Sequence, residues 1–199
     1  MARVPVLASA STARARLLAA AGVEFRVEAA ELDEAVLKKA CRAEGRDAAD
    51  CALLLAEAKA NQIAARHDGV IVIGADQILV CGETWFDKPA EIADARAQLK
   101  ALRGSAHELV TAVCAIRAGR GLWSAVSRPR LRMRNFTDAF LDDYIAAEGT
   151  DILGSVGAYR LEGRGVQLFE RIEGDHFAIL GLPLLELLDF LRGAGEIPS

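Results

Sequence analysis

Long apolar runs are missing from this chain of 199 residues. None approaches the roughly 18 residues needed to span a bilayer, so no membrane association is expected. The cysteines at 41, 51, 81 and 114 form no C-x-x-C pair, and their scatter fits free, reduced thiols in a cytoplasmic protein. His67, His107 and His176 make no zinc-type cluster. An excess of positive charge is also absent, and a net charge of −4 argues against general nucleic-acid binding. No internal repeat or disordered linker is evident. What remains, 52% hydrophobic and 26% charged residues, describes a soluble globular protein with one sizeable core or two lobes sharing a sheet.

The stretch from Val4 to Ala19, VPVLASASTARARLLA, passes from an apolar strand through a small polar turn into a helix. Ser11 or Thr12 is the predicted N-cap, which puts Arg14 and Arg16 in or near the first turn, where cations oppose the helix dipole. A bound anion would offset that cost, since free N–H groups and a guanidinium suit a phosphate or carboxylate. At about 100° per residue Arg14 shares a face with Leu17, Leu18 and Ala21, while Arg16 points away. Either both arginines snorkel from a surface helix, or Arg14 serves a ligand. The acid-free start up to Val23 has the composition of a transit peptide, and Ala8-Ser9-Ala10 mimics a signal-peptidase site. The apolar run before Ser9 is too short for a signal core, however, and strand, turn and helix follow in order. The segment is expected to belong to the fold.

Beyond Gly22, Glu24 to Ala29 reads as a short strand, followed by the acidic residues Glu31, Asp33 and Glu34. Carboxylates after a strand return toward its C-terminal end, where ligands of open α/β sheets sit, which makes Glu34 a candidate metal ligand. Asp47 to Arg66 is a predicted helix with Leu55 and Ile63 on one face, Ala56 and Ala60 beside them, and Lys59 in the middle. A lysine there either snorkels or holds a buried anion. Val70 to Val80, VIVIGADQILV, has the continuous β-branched character of a strand buried on both faces. Asp76 within it needs a partner cation, a metal or a water-lined cleft to stay ionised. Gly74 permits close approach of a ligand or a neighbouring backbone.

Asp87-Lys88-Pro89 forces an extended backbone at Lys88. Asp94 is the predicted cap of a helix that stops at Gly104. Leu109 to Ile116, Leu122 to Val126 and Leu131 to Phe136 read as consecutive, antiparallel strands. Thr137 caps a helix running to Gly149. Tyr159 to Glu162 and Gln167 to Ile172 read as short strands, and Pro183 opens a last helix, Leu184 to Leu191.

Taken together, LASAS at 7–11, Glu34, Ala58-Lys59-Ala60, GADQ at 74–77, Lys88-Pro89, GAY at 157–159 and GLPL at 181–184 resemble the Maf family of nucleoside triphosphate pyrophosphatases, over nearly the whole length. The resemblance implies one α/β domain over residues 1–199, similar to inosine triphosphatase, with a long mixed sheet, helices around it, two lobes and a central cleft. It implies cleavage between the α- and β-phosphates to a nucleoside monophosphate and pyrophosphate. Carried over by position, Ser9, Ser11, Arg14, Lys59 and Lys88 would handle phosphate, while Glu34 and Asp76 would be catalytic and hold Mg²⁺ or Mn²⁺. A homodimer is implied as well. The chain departs from the family at Thr12-Ala13-Arg14-Ala15, where members commonly carry Ser-Pro followed by basic residues, or tryptophan and two arginines.

Within the family, Gln77, Glu162 and Leu168-Phe169-Glu170-Arg171 resemble the branch acting on 7-methyl-GTP rather than on dTTP and UTP. A carboxylate at 162 can accept from the N1–H and amino donors of guanine, and it favours a cationic methylated base. On this reading Gln77 and Glu162 bind substrate. Metal-assisted phosphoanhydride hydrolysis is the leading expectation, with either Asp76 or Glu34 as base. The competing classes are a dTTP/UTP pyrophosphatase and a nucleotide-binding regulator of cell division that turns nothing over.

Overall fold

The computed structural model describes residues 4–198. Eight strands hydrogen-bond in the order β2-β1-β3-β5-β7-β8, with β4 on β3 and β6 on β5. They are β1 (Val6–Leu7), β2 (Arg26–Val27), β3 (Val72–Cys81), β4 (Thr84–Phe86), β5 (Ala106–Arg117), β6 (Arg120–Ser127), β7 (Arg130–Met133) and β8 (Phe169–Glu173). Strand β1 pairs in parallel with β2 and β3, and the remaining described pairings are antiparallel, so the sheet is mixed as expected. The helices are α1 (Thr12–Ala20), α2 (Glu34–Ala43), α3 (Ala48–Ala64), α4 (Ile92–Leu102), α5 (Asp138–Glu148), α6 (His176–Ile179) and α7 (Leu184–Gly193). The chain divides into two compact units.

The first unit comprises the chain up to Gln77, Val110–Ser127, and the chain from Asp175. Helix α3 starts where the Asp47 carboxylate accepts the Ala49 and Asp50 N–H groups, both at 2.9 Å, as an N-cap aspartate does. Its buried face includes Ala52, Ala56 and Ala60, every fourth residue and every one fully buried. That small-residue face lets α3 settle directly on β3. A methyl group at Gly74 would lie 2.0 Å from the Ala56 carbonyl oxygen and 2.9 Å from the Ala60 Cβ. The backbone therefore takes the space that Gly74 leaves open, not a ligand. Leu7, Leu18, Ile73 and Val113 share a core with Leu184, Leu187 and Leu191 of α7.

Two short helices of this unit escape the sequence reading. Helix α2 follows the Asp33 N-cap, whose side chain accepts the Val36 N–H at 3.1 Å, so Glu34 stands on a helical first turn rather than in a loop. Helix α6 is a single turn capped by Asp175, which accepts from Phe177 and Ala178 N–H at 3.0 and 2.9 Å.

The second unit comprises Ile78–Leu109 and Arg128–Gly174. Here the predicted strand at 159–162 is absent. Residues 149–168 are mostly 3-10 turns, and Gly157 takes φ +77° in a spot where a Cβ would meet Leu79 Cδ1 at 2.5 Å. The cap of α4 is Glu91 rather than Asp94. Asp94 lies in the first turn and its carboxylate accepts the Ala90 N–H at 3.2 Å. Thr137 does cap α5, accepting the Phe140 N–H at 3.2 Å.

His107 is buried in this unit among Tyr159 and Phe169, with Nε2 2.9 Å from the Tyr159 hydroxyl and Nδ1 without a hydrogen-bond partner. Burial pushes its pKa down to about 4. The folded imidazole is neutral above that value, whereas the unfolded one takes up a proton below about 6.5. Stability from this group is thus complete above about pH 6.5 and is lost as the pH falls toward 4, by roughly 3 kcal/mol in all. Urea unfolding between pH 7 and 4.5 should show a steeper loss in the wild type than in His107→Phe, the slopes differing by about one proton. Parallel curves would refute the burial argument.

Candidate active site

Six polar or charged side chains are buried among the described residues, and five of them, Ser9, Arg14, Lys59, Asp76 and Thr111, lie in the first unit. Strand β3 sets the axis of the site. Asp76 lies between Ala75 and Gln77 on a strand that is otherwise apolar, and α3 brings Lys59 over it. The Lys59 ammonium donates to Asp76 Oδ1 at 2.5 Å and lies 2.7 Å from Glu34 Oε1. Lysine at the centre of the α3 face therefore does hold a buried anion. Asp76 and Lys59 are almost fully enclosed, while the Glu34 side chain is 43% exposed. The second carboxylate oxygen of Asp76, Oδ2, is buried and has no hydrogen-bond partner.

Ser11 caps α1, its hydroxyl accepting the Arg14 N–H at 3.4 Å. Arg14 is buried and Arg16 exposed, as the helical spacing requires. The Arg14 guanidinium is engaged by the protein itself: Nε donates to the Gly181 carbonyl at 2.7 Å, and Nη1 to the Ala75 carbonyl at 2.9 Å and Ser9 Oγ at 3.0 Å. Burial lowers its pKa from the ordinary arginine value, and the charges of Asp76 and Glu34 oppose that shift. Gly181 takes φ +104° with the Arg14 side chain packed where a Cβ would stand, so glycine fits both the backbone and the contact.

Gln77 is likewise occupied. Its amide nitrogen donates to Thr111 Oγ1 at 2.8 Å and to the Ala178 and Ile179 carbonyls at 2.9 and 3.2 Å. In this arrangement the amide holds α6 in place rather than being offered to a base. Lys88 and Glu162 lie in the second unit, both exposed, and Arg160 Nε is 3.7 Å from Glu162 Oε1. The structure thus brings together Ser9, Ser11, Arg14, Glu34, Lys59, Asp76 and Gln77. Thr111 and the carbonyls of Ala75, Ala178 and Gly181 were missed by sequence reasoning. A buried backbone carbonyl leaves no signature in its own side chain.

The fit of a divalent cation can be judged from the oxygens. No group of three or more His, Cys, Asp or Glu side chains able to hold a metal occurs among the described residues. Two carboxylates, one with an unsatisfied buried oxygen, nevertheless suit a hard cation whose other positions come from phosphate oxygens and water. Thiol chemistry is disfavoured: burial and the neighbouring Cys41 push Cys51 up to about 12, and burial pushes Cys114 to about 12. Both stay protonated and unreactive near neutrality.

Among known proteins, residues 5–194 match the family model described as Maf-like protein. A nucleoside triphosphate pyrophosphatase of Paramagnetospirillum magneticum is 54% identical over 192 residues, 96% of this chain and 99% of the relative. A 7-methyl-GTP pyrophosphatase of Rhizobium meliloti is 45% identical over 194 residues, 98% of each chain. A solved dITP/XTP pyrophosphatase from Mycobacterium abscessus aligns over 98% of this chain and 97% of that one, at 16% identity and a TM-score of 0.45.

Removing the Arg14 guanidinium strips partners from two buried carbonyls and the Ser9 hydroxyl, whereas Arg16 faces solvent. Arg14→Ala is therefore expected to lower unfolding free energy by about 3 kcal/mol, and Arg16→Ala by less than about 0.5. Chemical denaturation of both variants checks this. Equal losses would overturn the placement of Arg14.

Proposed function

This chain belongs to the Maf-like protein family, and on that premise we propose that it is a hydrolase cleaving nucleoside triphosphates to a nucleoside monophosphate and pyrophosphate. The observation that carries the reading is the Asp76 carboxylate, with Oδ1 clamped by Lys59 and Oδ2 buried and unsatisfied. The clamp orients the carboxylate, which leaves Oδ2 to accept a proton from an attacking water. Water oxygen bonds to the α-phosphorus, the bond from that phosphorus to the bridging oxygen breaks, and pyrophosphate leaves with the bonding pair. Asp76 is the better enclosed base, and Glu34 is the more accessible oxygen donor.

With Asp76 Oδ2 serving as base, Glu34 would hold Mg²⁺ or Mn²⁺ together with phosphate oxygens and water, and the ion would supply Lewis-acid polarisation of the phosphate. The three donors of the Lys59 ammonium can serve two carboxylates and one phosphate oxygen together. Arg14 contributes a fixed positive charge close to the phosphates while its N–H groups secure the Ser9 turn. Roles for Lys88 on the leaving pyrophosphate and for Gln77 and Glu162 in substrate binding rest on family resemblance, as do a homodimer and a cytoplasmic location. No helix among the described residues is long and apolar enough to cross a membrane.

Asp76→Asn should lower pyrophosphate release by roughly two to four orders of magnitude while nucleotide binding, measured by calorimetry, survives. Near-normal turnover by that variant would remove Asp76 as the base, whereas a wild type that releases pyrophosphate from no triphosphate would leave a nucleotide-binding regulator as the better account.

For the substrate we propose 7-methyl-GTP. A pyrimidine presents an acceptor to the Glu162 carboxylate where 7-methylguanine presents donors and a positive charge, so kcat/KM should favour 7-methyl-GTP over dTTP and UTP by roughly tenfold or more. Glu162→Gln should narrow that ratio. Equal turnover of dTTP by the wild type, or an unchanged ratio in the variant, would remove Glu162 from base selection.

A further inference from the structure

Helix α3 carries more of the site than Lys59. The segment from Glu28 to Glu34 runs antiparallel to the helix and is tied, at every third residue, to it or to the chain just past its end. Glu34 meets Lys59 at 2.7 Å. Glu28 accepts from Arg66 Nη1 at 2.9 Å and lies 2.6 Å from His67 Nε2. Between these charged rungs stands a neutral one. Gln62 Oε1 accepts the Glu31 N–H at 2.7 Å, and Gln62 Nε2 donates to the Glu31 carbonyl at 2.9 Å. The carboxamide gives Glu31 both bonds that a neighbouring strand would give, in a segment that has no strand partner there.

We propose that Gln62 is a positioning residue for Glu34. It fixes the backbone three residues ahead of Glu34, and so fixes where α2 begins and where its first carboxylate points. The ion pair with Lys59 cannot do this alone, because the Glu34 side chain is nearly half exposed and water competes for it. Glu28, at the far end, is held by its side chain and by its N–H, which donates to the Leu7 carbonyl at 3.1 Å. Gln62 is the one residue of this ladder that grips the main chain of the segment in both directions. The inference rests on the proposed hydrolysis for its catalytic consequence and on the geometry alone for its structural one.

Gln62→Met keeps the length and helix propensity of the side chain and removes both hydrogen bonds. It should lower kcat roughly ten- to hundredfold, the scale of a misplacement of about 1 Å, with KM for the triphosphate within about twofold. In a Glu34→Gln background, Gln62→Met should cost nothing further, because residues acting through one another are non-additive. Amide exchange of residues 28–34 should rise by about tenfold or more while that of α3 stays unchanged. Multiplicative effects of the two substitutions would overturn the positioning role, and so would unchanged exchange in the segment. A wild type that releases pyrophosphate from no triphosphate would defeat the proposed function, and exchange would then still decide whether Gln62 orders the segment.

Discussion

The contact on which the first unit depends is the meeting of α3 and β3 at Gly74. A helix normally stands off a sheet by the thickness of its side chains. Here alanines on one side and a glycine on the other reduce that thickness almost to nothing, and the helix backbone presses on the strand. Position 74 fixes where Lys59 hangs relative to Asp76, because each lies only a few residues from the contact. The distance of 2.5 Å between their charges is a consequence of that packing as much as of their attraction. Close packing of this kind deforms little, so the pair is held without demanding much of either flexible side chain.

Burying an acid is costly, and the molecule meets the cost by enclosing matching charge. Asp76 and Glu34 face Lys59, and Arg14 adds a second cation on the other side of β3's Ala75 carbonyl. Formal charge in the cluster sums to zero. Yet its hydrogen bonding is uneven, since the guanidinium is anchored on three acceptors and one oxygen of Asp76 has none. Local incompleteness inside an otherwise satisfied network is where chemistry can be added, and it falls on the residue whose burial is hardest to explain structurally.

Much of this was legible in the sequence because it obeys local rules. Serine before a helix, a cation on the inward face of that helix, a lysine amid alanines and an aspartate in a β-branched run each violate or satisfy a pattern within a few positions. The unpredicted features depend on distant partners. Gln77 reads as an amide free to meet a base until the carbonyls of α6, about a hundred residues later, prove to hold it. Gln62 looks like an ordinary polar residue on a long helix because its partner is a main chain. Asp94 satisfies the cap pattern as well as Glu91 does, and only the backbone decides between them. Residues 159–162 fail as a strand because glycines on both sides favour tight turns over extension.

The bond between Arg14 and the Gly181 carbonyl spans 167 residues of sequence. Its unit is assembled from three separate stretches of chain, whereas the other unit is complete by Gly174. During synthesis, therefore, the part that begins first must be finished last. Helix α1 emerges with a guanidinium destined for the interior and waits for an acceptor that has not been translated. At roughly 5 to 20 residues per second, that wait lasts many seconds. The unit that starts later has its whole sequence a few residues before that acceptor appears, an order of completion opposite to that of reading.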